Sequence, residues 1–598
     1  MARRIQLSLA AAAALLAPAS ARAQTTTVTR VADDFAHGRA RIEHVQVDAA
    51  ALPRHERAAG TPHTAAVILF NFSDTPTQPI TAERAKEIVF TGAESAANFH
   101  REQSYGAVTF RGVIDPAGDV LGYYTIAARR TPCDVDLWAE QASAKATAAG
   151  VDLAAYDHLM FVFPDAFQEG CEFGGLGEVP GVKTWFHASQ LDWAASHELG
   201  HNLGMHHANA YDCHDGTGAR VTLGGTCEVI EYGDHFDVMG GTQHRHANAL
   251  RKQQLGLLEP ATTITTEGVY RIAPIGAASG MRAVRIRRDT VGGVDRYYSL
   301  EVRRAEPRFD DFFCMEPVVQ GVTLRLGAGD QSYLLDTTPS TASYDDAPLT
   351  VGQTYIDSAR GISIRTLRVD DQGADVAISF DGSLPDADPV AGPDPGVGGT
   401  GVLAEYFSGV DLAGAALVSA TVPNIDFRWG QDVPHAGVPA DDFSARYHGY
   451  LVPADSGEHV FSTSSDDGVR LWINGEPVVD DWRDHGAEAN VARVTLPAGE
   501  PAEILLEYYD RGGDAEARLA YQPPGGSCQA VPEGRLFLEP TSIDEDDEDD
   551  DDEMPEPEAG GAGDLVGGCA AGGGTTNGAA LLLVMAALGL ARRRRRAR

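Results

Sequence analysis

The chain has 598 residues, of which 43% are hydrophobic and 8% aromatic, and a formal net charge of −39. Its length exceeds what one hydrophobic core usually serves, so we expect several domains. The negative charge argues against nucleic acid as a partner, because a chain with this excess of acidic residues cannot neutralise many phosphates.

The first residues have the three-part order of a secretory signal peptide. Arginines at positions 3 and 4 precede an apolar run over residues 7–17, and the small-residue motif ARA ends at position 23. We therefore predict a signal peptide over residues 1–23 and export of the mature chain. Residues 24–62 are polar and show no sustained hydrophobic period, and they form a candidate propeptide.

Strand and helix signals alternate in the next block, residues 63–262. AAVILFNFSD from Ala65 and HLMFVFP from His158 are typical of buried strands, and VTFRGVI from Val108 alternates like a strand. Helix-like stretches cover residues 82–90 and 96–103. This mixture predicts an α/β or α+β core.

That core leads into HELGHNLGMHHA, residues 197–208. On a helix, His197 and His201 stand four residues apart on one face, and Gly204 can end the helix in the left-handed conformation. The turn would bring His207 back to the same ion, which completes the pattern H-E-x-x-H-x-x-G-x-x-H of metzincin zinc peptidases. His206 is the rival third ligand, but the Gly-x-x-His spacing favours His207.

A catalytic zinc needs three protein ligands and one open position for water. The three histidines are the predicted ligands, and Glu198 is the predicted general base that takes the proton of the attacking water. Met239 in EYGDHFDVMGG is the predicted methionine of the turn that metzincins place beneath the zinc. A lone methionine would be more simply explained as core filler.

These phrases, together with QSYG at Gln103, FVFPD at Phe161 and RKQQLGLL at Arg251, resemble the gametolysin family of extracellular metallopeptidases. The resemblance runs from about residue 65 to 380 and implies a metzincin catalytic domain, zinc, and cleavage of extracellular protein. Residues 24–62 contain no cysteine, so a thiolate switch on the zinc is excluded. Any latency would need steric cover of the site or another ligand. We expect the substrate-aligning edge strand in GVKTWFHAS, residues 181–189.

Composition changes again after about residue 260, where helical signals stop. Short alternating runs predict a small β-sandwich over residues 263–381. A Pro/Gly/Asp-rich linker over 382–400 separates it from a second β-sandwich over 401–525, which we expect to fold independently. Residues 526–567 include twelve acidic residues between positions 544 and 558 without a Lys or Arg, so this segment is predicted to be a solvated acidic spacer.

The block from residue 401 contains SDDGVRLWINGE and, further on, EYY. These phrases resemble the protective-antigen module of secreted glycosidases, proteases and adhesins. In adhesin relatives an Asp pair holds calcium and a sugar, and the resemblance assigns that role to Asp466 and Asp467. The alternative is that the two aspartates only shape a turn.

Seven cysteines in an exported chain suggest disulfides. Cys213 and Cys227 bracket a short Gly-rich loop and are predicted partners, and Cys133 with Cys171 is the second predicted pair. Cys314 and Cys528 are left over in different blocks, so their pairing stays open. Cys569 belongs to the C-terminal signal.

The C-terminal block, residues 568–598, contains Gly568 and Cys569, an uncharged stretch over 570–591 that ends apolar, and an arginine cluster over 592–596. Positive charge after an apolar span holds that side in the cytoplasm. The order resembles the myxobacterial C-terminal sorting signal. It implies a transient membrane anchor, processing near Cys569, and delivery to the outer-membrane surface or the medium.

The sequence therefore predicts a secreted or surface zinc metalloendopeptidase that acts on extracellular protein and is targeted by a carbohydrate-binding module, with zinc and a calcium ion as cofactors. The partners would be a protein or peptide substrate and a cell-surface glycan, without nucleic acid. Two alternatives are a surface adhesin with incidental peptidase activity and a zinc amidase of cell-wall peptide.

Overall fold

The computed structural model describes residues 25–34, 39–48, 62–241, 244–384 and 397–541. The predicted signal peptide, most of the linker, the acidic run, Cys569 and the C-terminal span lie outside the described residues. Within these described ranges no helix is long and apolar enough to cross a membrane. The protein is multidomain and rich in β-structure, with few helices.

The first block contains eight strands and four helices. The strands are β1 (Thr25–Asp34), β2 (Arg39–Asp48), β3 (His63–Phe72), β4 (Phe110–Arg111), β5 (Asp119–Ile126), β6 (His158–Phe163), β7 (Gly175–Val179) and β8 (Lys183–His187). The helices are α1 (Ala82–Lys86), continued by a π-helical turn over Glu87–Thr91, α2 (Ala96–Gln103), α3 (Val135–Ala148) and α4 (Leu191–Leu203).

These strands form one sheet in the order β2-β1-β7-β8-β6-β3-β4, with β5 also paired to β3. Strands β3, β6 and β8 run parallel, whereas β7 is antiparallel to β8 and β1 is antiparallel to β7. The continuous apolar runs of β3 and β6 are buried along nearly their whole length, as expected for parallel strands covered on both faces.

The sheet corrects two of the sequence expectations and adds a feature that the sequence did not indicate. Residues 24–62, which show no hydrophobic period, supply the antiparallel pair β1 and β2. The strand in GVKTWFHAS is β8, which lies inside the sheet between β7 and β6, and β7 pairs on its other side with β1. The strand in VTFRGVI is only the two residues of β4, because the backbone N–H groups of Val113 and Ile114 donate to the Asp119 carboxylate and not to a neighbouring strand.

The middle block continues from helix α4 into strands β9 (Ala208–His214), β10 (Arg220–Val221), β11 (Thr226–Ile230), helix α5 (Ala249–Gln254), β12 (Thr262–Ile264), β13 (Gly268–Ile272), β14 (Val284–Val291), β15 (Val294–Glu301), β16 (Gly321–Ala328), β17 (Gln331–Leu335), β18 (Leu349–Thr350), β19 (Thr354–Asp357), β20 (Ile362–Asp370) and β21 (Gly373–Ser379). Strands β9 to β12 and β14 to β18 form a nine-stranded sheet, and β13, β19, β20 and β21 form a four-stranded one. A shared apolar core that includes Ile286, Leu324 and Ile364 lies between them.

Strand β9 begins one residue after His207 and pairs in parallel with β17. The nine-stranded sheet therefore extends across the domain boundary expected at residue 262. The predicted zinc motif thus lies where the two blocks join.

The last block contains β22 (Val402–Ser408), β23 (Val418–Val422), β24 (Asp426–Gly430), β25 (Phe443–Leu451), β26 (Gly457–Asp466), β27 (Val469–Ile473), β28 (Glu476–Asp481), β29 (Glu488–Leu496), β30 (Ala502–Asp510), β31 (Ala515–Gln522), β32 (Gln529–Ala530) and β33 (Leu536–Phe537). They form a seven-stranded and a five-stranded sheet around an aromatic core that includes Phe443, Tyr447 and Tyr508. The strands continue past the end expected at residue 525.

The last block packs against the middle block, a contact that the sequence did not indicate, and its independent folding stays a prediction. A disulfide joins Cys314 to Cys528. Around it, Phe313 shares an apolar cluster with Val460, and the Arg518 guanidinium lies 4.5 Å from the centroid of the Phe313 ring. A polar linker can join modules that move freely as well as modules that pack together. Composition therefore does not predict the contact between the two blocks.

Candidate functional site

Helix α4 places His197 and His201 on one buried face. Their Nδ1 atoms lie 2.8 Å from two backbone carbonyl oxygens, those of Val238 and Met205 respectively. These contacts fix each ring with Nδ1–H donating to the carbonyl, which leaves Nε2 as the acceptor. Both Nε2 atoms consequently face the same buried space.

Gly204 ends α4 with a φ of +106°, the left-handed conformation predicted for it. The chain turns there and places the His207 ring 5.0 Å from the His201 ring and 5.5 Å from the His197 ring, centroid to centroid. His207 Nδ1 lies 2.9 Å from Glu231 Oε1, and its backbone carbonyl accepts a hydrogen bond from Arg251. His207 is thus held as the third member of the cluster.

His206 does not join the cluster. Its Nε2 atom lies 3.5 Å from Asp330 Oδ2, and its side chain is 33% exposed. The structure therefore separates the two neighbouring histidines, with His207 turned inward and His206 turned toward solvent.

A fourth buried side chain, Asp33 of strand β1, completes the cluster. Its carboxylate oxygens lie 2.8 Å from His207 Nε2, 3.4 Å from His201 Nε2 and 3.6 Å from His197 Nε2. Tyr232 donates a hydrogen bond of 2.6 Å to Asp33 Oδ1. The sequence reasoning missed Asp33, which lies in the segment without a hydrophobic period.

The buried groups of this cluster shift one another's pKa values. Burial opposes ionisation of Asp33, but the positive charge of His207 holds the pKa of Asp33 well below its ordinary value. Burial lowers the pKa of His207, but the charge of Asp33 overcomes this effect and raises it to about 9. In contrast, burial lowers the pKa of His197 to about 3.

The donor set fits a zinc ion. One ligand atom from each of the four residues lies within 4.8 Å of the others. Zinc binds neutral imidazole and carboxylate in tetrahedral sites, and its histidine ligands commonly donate their second ring N–H to a carbonyl or carboxylate. Each of the three rings has such a partner at Nδ1.

Glu198 lies next to the cluster and is fully buried. Two glycines of strand β7 make the space for its carboxylate: a Cβ built on Gly175 would lie 2.1 Å from Glu198 Oε1, and one built on Gly177 would lie 2.8 Å from Oε2. Burial and the nearby charge of Asp33 raise the pKa of Glu198 well above its ordinary value. The strand that borders the site is therefore built around the glutamate.

Met239 is fully buried beneath helix α4. A Cβ built on Gly200 would lie 2.8 Å from Met239 Sδ, so the glycine lets the methionine approach the helix between the two helical histidines. The Asp237 carboxylate fixes this turn by accepting hydrogen bonds from the backbone N–H groups of Met239 and Asn248, at 2.7 and 2.6 Å.

Asp466 and Asp467 lie in a second acidic group, together with Asp510, and one oxygen of each lies within 4.8 Å of the others. Asp467 has a φ of +61° and accepts hydrogen bonds from the backbone N–H groups of His485 and Arg511, so it also shapes the loop. Both Asp510 oxygens are buried without a hydrogen-bond partner among the described residues. Asp510 was missed because it lies at the end of a later strand.

The cysteines of the described residues form three disulfides. Cys133 is bonded to Cys171, Cys213 to Cys227, and Cys314 to Cys528. The first two bonds join the pairs expected from the sequence, and the third resolves the pairing that it left open.

The fold and site thus define a buried centre of three histidines with a carboxylate base candidate beside it, joined to a β-rich module. Residues 65–289 match the profile of the gametolysin peptidase M11 family, and residues 398–535 match that of the PA14 domain. The chain therefore contains a gametolysin-like peptidase region followed by a PA14 domain, as the resemblances predicted.

Similar proteins cover smaller parts of the chain. The anti-sigma-I factor RsgI3 of Acetivibrio thermocellus is 32% identical over 23% of this chain and 21% of its own length. A beta-glucosidase of Rhizobium radiobacter is 32% identical over 17% of this chain and 14% of its own length. A solved structure of an anti-sigma factor domain-containing protein is 29% identical, with a TM-score of 0.23, over 24% of this chain and 50% of that one. The chain thus spans half or less of the length of each of these relatives.

Proposed function

We propose that the protein is an exported zinc metalloendopeptidase of the metzincin class that hydrolyses peptide bonds of extracellular proteins. The observation that carries the proposal is the convergence of the Nε2 atoms of His197, His201 and His207 beside the buried Glu198, inside a region that matches a peptidase family. These three imidazoles would hold the zinc ion. When bound, zinc supplies a Lewis acid that makes water a nucleophile near neutral pH.

Glu198 is the proposed general base. It follows His197 directly on helix α4, and the glycine pair of β7 gives its carboxylate room beside the histidines. There it accepts the proton of the water that attacks the scissile carbonyl. Met239 and the turn held by Asp237 keep the helix that carries these residues in place.

Strand β7 is the proposed substrate-aligning strand. Without β1 and β2 it would form one edge of the sheet, with β4 at the opposite edge, and it passes directly over Glu198. An extended peptide that pairs with this edge is held through its backbone, which suits cleavage of many sequences.

The PA14 domain is the proposed targeting module, with residues 401–541 as its folded extent. Asp466, Asp467 and Asp510 would hold a calcium ion through carboxylate oxygens, the donors that calcium prefers. By the resemblance to adhesin modules, this ion would help to bind a cell-surface glycan. Its packing against the middle block keeps it at a fixed place relative to the peptidase region.

A digest of a peptide library, with peptidoglycan and a glycan array assayed in parallel, tests this proposal. Hydrolysis of peptides that requires zinc supports it. Release of cell-wall fragments without peptide cleavage would favour a cell-wall amidase, and glycan binding without any hydrolysis would favour an adhesin.

A further inference from the structure

Strand β1 covers the edge of the sheet that the proposed substrate would use. It pairs antiparallel with β7 over five residues, from Thr29 opposite Val179 to Asp33 opposite Gly175. Strand β2 then pairs with the other side of β1. An extended peptide cannot add to β7 while β1 is there, because each strand edge has one set of backbone donors and acceptors.

Strand β1 also delivers a carboxylate to the three histidines. Asp33 is fully buried and lies within 3.6 Å of the Nε2 atom of each of His197, His201 and His207. A zinc site closed by four protein ligands is structural, whereas a catalytic site keeps one position open for water. With Asp33 in place, the cluster offers four protein ligands and leaves no open position for water.

Specific contacts hold β1 in this register. Arg30 is buried, and its guanidinium forms ion pairs with Asp136 at 2.8 Å and with Glu178 at 3.4 Å. It also lies 4.7 Å from the centroid of the Trp185 ring. Next to the cluster, the backbone N–H of Gly174 donates to the Asp33 carbonyl at 2.6 Å. The strand is therefore fixed at both ends of its contact with β7.

We propose that strands β1 and β2 form a built-in inhibitor, in which β1 takes the place of an extended substrate on β7 and the Asp33 carboxylate takes the open ligand position of the metal. This inference rests on the proposed function, and it means that the peptidase site is blocked until β1 is removed. The enzyme becomes active when β1 leaves β7. The Asp33 carboxylate thus blocks the metal, which a cysteine thiolate could not do because residues 24–62 contain no cysteine.

The test uses the full chain loaded with Co²⁺, whose visible absorption reports its ligands, and acetohydroxamate as a probe of the open position. We expect Asp33→Ala to change the Co²⁺ spectrum and to bind acetohydroxamate about 10- to 1,000-fold more tightly than the parent, because a minor open state of about 0.1–10% lowers the apparent affinity of the parent by that fraction. Asp115→Ala, which removes an exposed carboxylate paired with Lys86, is the matched control and should behave like the parent. Equal hydroxamate affinity of the parent and Asp33→Ala would overturn the proposal.

Arg30→Met keeps the test decisive if Asp33→Ala does not fold. It loosens β1 without touching the histidines, so it should also tighten hydroxamate binding, and parent-like binding would count against the inhibitor. Peptide hydrolysis separates this inference from the proposed function. If Asp33→Ala and the parent cut peptides equally fast, the inhibitor is wrong and the peptidase stands. If neither cuts peptides but hydroxamate affinities differ, the closed ligand position stands and the peptidase fails.

Discussion

Gly175→Ala should remove most peptidase activity without unfolding the protein. The added Cβ would lie 2.1 Å from Glu198 Oε1 and 2.6 Å from Glu198 Cδ, whereas ordinary contacts begin near 3.4 Å. The carboxylate must therefore move by about 1 Å or more. Because the clash involves the end of a side chain and not backbone, the side chain can turn aside while the strand keeps its place.

A displacement of about 1 Å at a reacting group can reduce a rate by about 100-fold. We expect this loss in kcat/KM for a peptide substrate, measured in an Asp33→Ala background so that the β1 carboxylate does not affect the comparison. Zinc content should stay at that of the background, because none of the three histidines is touched.

The matched control is Gly216→Ala, since a Cβ built on Gly216 meets no atom within 4 Å. It should leave kcat/KM unchanged. If Gly175→Ala cuts peptide as fast as this control, Glu198 does not act from the position that the structure gives it.

Three further predictions concern the third zinc ligand, the calcium site, and the disulfide that joins the PA14 domain to the middle block. In the Asp33→Ala background, His207→Ala should lose zinc while His206→Ala keeps it, measured as metal per protein after dialysis; the opposite result would exclude His207 as the third ligand. Burial and the charge of neighbouring aspartates raise the pKa of Asp510 to about 7, and calcium needs the ionised carboxylate. Calcium affinity in titration calorimetry should therefore fall as the pH drops through about 7, and an affinity independent of pH would argue against this ligand. Replacing both Cys314 and Cys528 by Ser should lower the free energy of unfolding in urea by about 2–5 kcal/mol, whereas unchanged stability would show that the bond adds nothing to the packed contact.

The sequence allowed prediction of those site residues that lie close together in the chain. His197, Glu198, His201 and His207 follow the period of one helix and one glycine turn, so their spacing alone places them together. Asp33 and Gly175 reach the same site through sheet pairing between distant segments. No local pattern records such pairing, because the strand that holds Asp33 is stabilised by its neighbour and not by its own hydrophobic alternation.

The missed helix α3 illustrates a different limit. Its buried residues Trp138, Ala142 and Ala146 do recur at helical spacing, but alanine is small and common, so the apolar stripe is weak in the sequence. The packing of the PA14 domain against the middle block was missed because its contacts are single residues, such as Phe313 and Val460, on otherwise ordinary strands. Their partners are defined only by the tertiary fold.

The central claim is that the three histidines bind zinc and that Glu198 is the general base in peptide hydrolysis. The most direct measurement is zinc content together with the peptide hydrolysis rate of Glu198→Ala, compared with the same chain carrying Glu198, both in the Asp33→Ala background. We predict one zinc ion in each protein and a rate about 100- to 10,000-fold lower in Glu198→Ala. Hydrolysis by Glu198→Ala at the rate of the comparison protein, or the absence of zinc from both, would contradict the account.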